Sequence, residues 1–182
     1  SNMWQEVFRE GRKAIVTKVQ ELNKIAPVHI LMIPGNHDWE KNFYLGDSLE
    51  GWFWNNENVH VDNSPNPRKY FYWNGVLIGF THGNNEKVSD LPLIMAQESP
   101  YWSTATWKEF HIGHWHQKKD LKFSHLNEFT GVSVKYMSSL ASTDSRHHKK
   151  GYLGRKSAEA ILWDSDNGLF ANFHFNDIYN KK

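Results

Sequence analysis

The sequence predicts a mixed α/β domain, and three observations predict it. The chain opens with an amphipathic segment of helical period over 3–25. A continuous apolar run follows, Val28-His29-Ile30-Leu31-Met32-Ile33, as expected of a strand buried on both faces. Beyond residue 68 the pattern changes to short strands separated by turn signals, the clearest at Asn74-Gly75 and Asp166-Asn167-Gly168.

Each element has its own reason. In the first helix Trp4, Val7, Phe8, Ile15, Val19 and Leu22 occupy the apolar positions. Gly11 costs that helix about 1 kcal/mol relative to alanine, which points to close packing there. Pro27 stops it. The apolar run empties directly into Pro34-Gly35-Asn36-His37-Asp38, after which a helix or irregular segment covers 39–54. Asn63-Ser64-Pro65-Asn66-Pro67 is a loop. Lys69–Trp73 and Val76–Phe80 form a hairpin, and its second strand delivers Thr81-His82-Gly83. Loops and short helices fill 84–108 around Pro92 and Pro100. A short strand, Glu109–Ile112, delivers Gly113-His114-Trp115-His116. Further strands are expected at 132–137, 158–163 and 169–175.

Composition bounds the function. A chain of 182 residues suits one domain, here 3–182. Ser1-Asn2 before Met3 reads as residues left by an expression vector. The 27 aromatic residues (9 Trp, 11 Phe, 7 Tyr) supply enough bulk for a packed body. A mean hydropathy of −0.69 predicts solubility. No apolar run approaches the length of a membrane span, and no secretory signal opens the chain. The absence of cysteine excludes disulfides, thiolate ligands and cysteine nucleophiles, and fits a reducing, cytoplasmic setting. A net charge of +1 selects no class of partner.

The chemistry gathers at three strand ends. Gly35-Asn36-His37-Asp38, Thr81-His82-Gly83 and Gly113-His114-Trp115-His116 each set metal-grade side chains beside a glycine. Ligand sites of layered α/β proteins collect at the carboxyl ends of strands. Asn and neutral His are good ligands for divalent Mn, Zn, Fe and Ni. Asn36, His82, His114 and His116 are therefore the candidate ligands. His37, beside Asn36, is placed to donate a proton or to stabilise phosphoryl charge.

In this order, Gly-Asn-His-Asp, then His-Gly, then Gly-His-x-His resembles the calcineurin-like metallophosphoesterases. That resemblance implies a layered β-sandwich with flanking helices and two metals roughly 3.5–4 Å apart that activate a water for attack on phosphorus. It implies that Asn36, His82 and His114 ligate the second metal, that His116 ligates the first, and that His37 is the catalytic histidine. It implies a structural role for Asp38. The implied substrate is a phosphate ester, either a monoester or a diester such as a nucleotide or nucleic acid, since relatives include nucleases.

The family also carries Asp-x-His and Gly-Asp-x-x-Asp motifs ahead of Gly-Asn-His-Asp, supplying the first metal's ligands and the carboxylate that bridges both. In residues 1–33 the only carboxylates are Glu6, Glu10 and Glu21, all on the helix. Gly46-Asp47 follows Gly-Asn-His-Asp and reads as coincidence. The expectation is a family domain missing its N-terminal βαβ portion, with at most one weakly held metal and impaired activity. The alternative is a non-catalytic remnant or split-gene fragment that binds a partner or self-associates through an exposed sheet.

Other residues carry two readings each. Within strands, His29, His111 and His174 read as core histidines; His60 and His125 read as surface residues. Arg146-His147-His148-Lys149-Lys150 is either a solvated basic loop or a loop meeting a phosphate, which makes Arg146, His148 and Lys149 the candidate substrate contacts. Trp39, Trp52, Trp54, Trp102, Trp107 and Trp115 could stack bases, although core or pocket-wall packing explains most of them more simply.

Overall fold

The computed structural model describes residues 3–114, 127–129, 131–138 and 157–176. It is mixed α/β, with two compact units, Ser1–Pro67 and Arg68–Lys182.

The first unit holds α1 (Met3–Asn23), β1 (Val28–Leu31), α2 (Trp39–Phe53) and β2 (Val59–Asp62). β1 and β2 pair in parallel, with Val28 opposite Val59 and Leu31 opposite Asp62. A parallel pair needs a crossover, and α2 provides it. The core of this unit joins Val16 and Val19 of α1, Leu49 and Phe53 of α2, Met32 and Val59.

Two expectations for α1 are corrected. Of its six assigned apolar positions only Val19 is fully buried, with Val16 as its partner in the core; Trp4, Val7 and Leu22 are exposed. A side chain at Gly11 would meet nothing within 4 Å, so close packing does not explain that glycine. The helix ends at Asn23, ahead of Pro27, in a turn where Ile25 N–H donates to Leu22 O at 2.9 Å.

β1 also departs from expectation. It is four residues long and half-buried rather than buried on both faces, and His29 is exposed. Its apolar side chains serve the core cluster on one side only: Val28 and Ile30 pack there. β2 was not expected from the sequence. Gly46 sits inside α2 where the helix meets Asn63, and an added Cβ would fall 2.0 Å from Asn63 Oδ1. Packing thus accounts for Gly46, in keeping with the coincidental reading of Gly46-Asp47.

The second unit starts with the hairpin of β3 (Arg68–Trp73) and β4 (Val76–Thr81). Asn74 and Gly75 both take positive φ, 42° and 83°, the mark of a type I′ turn. A 3₁₀ turn (Val88–Asp90), α3 (Leu91–Glu98), β5 (Trp107–Ile112), β6 (Asn127–Phe129) and β7 (Val132–Tyr136) follow. The sheet order is β3-β4-β5-β7-β6, with β4, β5 and β7 mutually parallel. β8 (Ser157–Asp164) and β9 (Gly168–Asn176) form a separate antiparallel hairpin. Each expected strand of this unit is present within two residues of its assigned bounds, and β6 is additional.

One face of the five-stranded sheet is apolar. Leu77, Phe110, Ile112, Val132 and Val134 pack there with Leu91 and Met95 of α3. The register places Lys69, Phe80, His111 and Lys135 in one row, and alternation along the strands puts this row on the opposite face. No helix among the described residues is long and apolar enough to cross a membrane.

Candidate metal centre

β4 and β5 run parallel as neighbours, with Thr81 opposite Ile112. Their chains therefore leave the sheet side by side, and the first residues beyond the two ends include His82 and His114. The backbone locks them together: Gly113 N–H and His114 N–H both donate to His82 O, at 3.1 and 2.7 Å. Gly83, at φ +87°, turns the chain away immediately after His82, a conformation that few side-chain-bearing residues adopt. An added Cβ there would also press on Ile112 Cβ at 3.3 Å.

The two imidazoles meet. His114 Nδ1 lies 3.0 Å from His82 Nε2, and the rings stand edge-on at 72°. Two ring nitrogens at this distance share either a proton or a cation. Nitrogen ligands sit about 2.0–2.1 Å from a divalent transition metal, so a pair at right angles is separated by about 3 Å. The observed contact is a ring-to-ring hydrogen bond, and by their donor chemistry the same two nitrogens are candidate ligands for one cation. Among the described residues no group of three or more His, Asp or Glu gathers to hold a metal. Among the described residues no carboxylate joins the two rings to neutralise a divalent charge.

The remaining assigned residues stand as follows. Asn36 and His37 lie on the exposed turn between β1 and α2 in the first unit. Asp38 is the N-cap of α2; its carbonyl accepts the Asn42 N–H at 2.8 Å, and its side chain makes no cap hydrogen bond. His116, Trp115, His125, Arg146, His148 and Lys149 lie outside the described residues.

The other histidines divide. His111 is a core histidine as expected, 8% exposed, with Nε2 2.7 Å from Glu109 Oε1 and its ring edge-on to Phe80. His29 is not: its ring is exposed and stacks on His60 at 4.7 Å between centroids. Partial desolvation, with the His60 ring adding to it, lowers the His29 pKa below 6.5. His174 is also exposed, 3.9 Å from Glu159. Both lie on strands with a solvent-facing side, which the apolar flanks of their sequences conceal.

The tryptophans divide as well. Trp102 packs against the core and carries Lys108 Nζ over its ring at 4.9 Å. Trp107 donates from Nε1 to Ser165 O at 3.2 Å and lies against Gly168. Trp39, Trp52 and Trp54 are 66%, 54% and 79% exposed, so core packing does not explain them; Trp52 carries Arg12 Cζ over its ring at 5.9 Å.

Sequence reasoning missed a charged group beside His82. Arg68 pairs with Glu86 at 2.9 Å and Glu98 at 2.7 Å. These partners are 18 and 30 positions away, beyond the reach of any local sequence pattern.

Comparison of the chain with family models, with curated proteins and with solved structures finds no match.

Proposed function

We propose that this chain is a phosphoesterase domain of the calcineurin-like metallophosphoesterase type, acting on phosphate mono- or diesters, with nucleotides and nucleic acid among them. The observation that carries the reading is the meeting of His82 and His114 at the ends of adjacent parallel strands. The spacing of the motifs supports it. His82 and His114 would hold a divalent cation (Mn, Zn, Fe or Ni); the motif resemblance names Asn36 and His116 as further candidate ligands. Such a cation supplies Lewis acidity and a water of lowered pKa.

The chain's own residues do the rest. The shared His82 carbonyl fixes the separation of the two rings before any ligand arrives. This removes part of the ordering cost of binding. The motif resemblance names His37, exposed on its turn, as the proton donor to the leaving oxygen. Because these ligands are neutral, the cation is weakly held and turnover by this chain is slow.

Manganese-dependent hydrolysis of bis-p-nitrophenyl phosphate and p-nitrophenyl phosphate tests this. His82→Ala is expected to lower the rate at least about tenfold. Equal rates for the two proteins would sink the reading.

A second reading is favoured by a separate observation. Among the described residues β1 has a strand on one side only, and the neighbouring α1 exposes Trp4 and Val7. Parallel strands are normally covered, and an open edge invites pairing. On this reading the first unit binds a partner or a second copy of the chain, whether or not the chain turns over substrate. Light scattering decides: a strict monomer with a sharp melt counts against it.

A further inference from the structure

We propose that Arg68 is a positioning residue that ties down the loop carrying His82. The proposal deepens the metal-site reading, and its functional consequence rests on that reading.

The loop leaves β4 at Thr81 and returns on itself at Glu86. Thr81 Oγ1 donates to Glu86 Oε1 at 3.2 Å, which closes the loop at its base. Arg68, the cross-strand neighbour of Thr81, reaches the same oxygen from Nη1 at 2.9 Å. His82 and Gly83 lie inside the closed ring. The Glu86 side chain is 6% exposed and its carboxylate is held by these two donors. A buried carboxylate without a cation is costly, so Glu86 stays in place only while Arg68 does.

Arg68 is itself immobilised from the other side. Its Nε donates to both oxygens of Glu98 at 3.0 Å, and Nη2 donates to Glu98 Oε1 at 2.7 Å. Tyr70 OH donates to Glu98 Oε2 at 2.7 Å. Glu98 is the last residue of α3, which packs on the apolar face of the sheet through Leu91 and Met95. The guanidinium fork therefore joins the end of α3 to the loop that carries His82. Lysine has the charge but not the planar fork needed for both partners.

The chain of contacts continues to the ligand pair. Glu86 closes the loop, the loop places His82, and the His82 carbonyl holds the Gly113 and His114 N–H groups. The side-chain hydrogen bonds of Arg68 go to Glu86 and Glu98. Its effect on the imidazoles is indirect, through the position of the His82 backbone.

The test uses the whole chain labelled with ¹⁵N-histidine and observed at one fixed pH. A ring nitrogen contact of 3.0 Å requires one ring to donate and the other to accept, so each of His82 and His114 is expected as a single tautomer. In Arg68→Met both rings are expected to revert to the mixed tautomers of free imidazole. The His29 and His60 signals of the other unit stay unchanged. Zn²⁺ affinity, measured by titration calorimetry, falls about tenfold, as for other residues that support ligands. Arg68→Lys restores part of both. Unchanged tautomers and unchanged Zn²⁺ affinity in Arg68→Met would overturn the proposal. If Arg68→Met does not fold, Glu86→Gln decides by the same two readouts, since it removes the ion pair and keeps the shape. A wild-type chain that binds no Zn²⁺ removes the metal reading, while the tautomer signature still decides the role of Arg68.

Discussion

The carbonyl of His82 accepts hydrogen bonds from both Gly113 and His114, so the two candidate ligand loops share one backbone anchor. Beside that anchor the two rings make a hydrogen bond of their own, His114 Nδ1 to His82 Nε2 at 3.0 Å. A cation that takes both nitrogens requires the bridging N–H to move to the far nitrogen of its own ring, a tautomer change with no net proton loss for two neutral imidazoles. Zn²⁺ binding is expected to weaken as pH falls because a protonated ring cannot ligate. His114→Ala should weaken it at least about tenfold, as one of two ligands is lost. Calorimetry across a pH series measures both effects.

Gly46 tests the packing of α2 on its own loop. Asn63 Nδ2 donates to Phe43 O at 3.1 Å across this contact. In Gly46→Ala the methyl would overlap Asn63, and the helix must move or the hydrogen bond must break. A loss of about 1–3 kcal/mol is expected despite the higher helix propensity of alanine. Denaturant unfolding followed by tryptophan fluorescence reads it, and a stabilised variant would refute the packing account.

Glu159 should govern acid stability of the second unit. Burial alone would raise its pKa. The Lys135 ammonium paired with it at 2.8 Å and hydrogen bonds from Ser138 and Asn172 overcome burial and bring it to about 2. The unfolded carboxyl titrates near 4.5. Its contribution is therefore fully present above pH 4.5 and is lost as pH falls through that value toward about 2. Glu159→Gln should lower stability at neutral pH by on the order of 2–3 kcal/mol, because Lys135 is left buried without its partner at 2.8 Å. The variant should also flatten the acid limb of a melting-temperature profile.

His29 predicts a weaker effect at higher pH in the first unit. Its pKa is depressed below 6.5, so the unfolded chain binds the proton more readily. The stability that neutral His29 supports is complete above pH 6.5, declines as pH falls below it, and levels off under the folded value. His60→Ala should reduce this decline, since the neighbouring ring contributes to the shift. Thermal melts between pH 5 and 8 check it.

Much of the fold was legible because its signals are local. Asn74-Gly75 between alternating apolar residues specifies the β3–β4 hairpin, and Gly168 at φ 75° specifies the β8–β9 turn. β2 was missed because Val59-His60-Val61-Asp62 is too short and too polar to stand out, and only its pairing with β1 makes it a strand. Exposure was misjudged for His29, Trp39, Trp52 and Trp54, where an apolar or aromatic sequence lies on a solvent-facing surface. In the candidate site, His82 and His114 were legible from their glycines and strand ends. The Arg68–Glu86–Glu98 group was not, because nothing local marks it.

The sequence by itself determined the first helix, the strands other than β2 and β6, the hairpin turns and the identity of the metal-grade side chains. These depend on periodicity, on glycine and on residue chemistry, all of which act within a few positions. Only the tertiary structure decided that β4 and β5 are parallel neighbours, that His82 and His114 share a carbonyl, and that Arg68 braces the loop between them and α3. Those relations join residues some 18 to 32 positions apart. They follow from which apolar faces pack together, a choice the whole core makes at once.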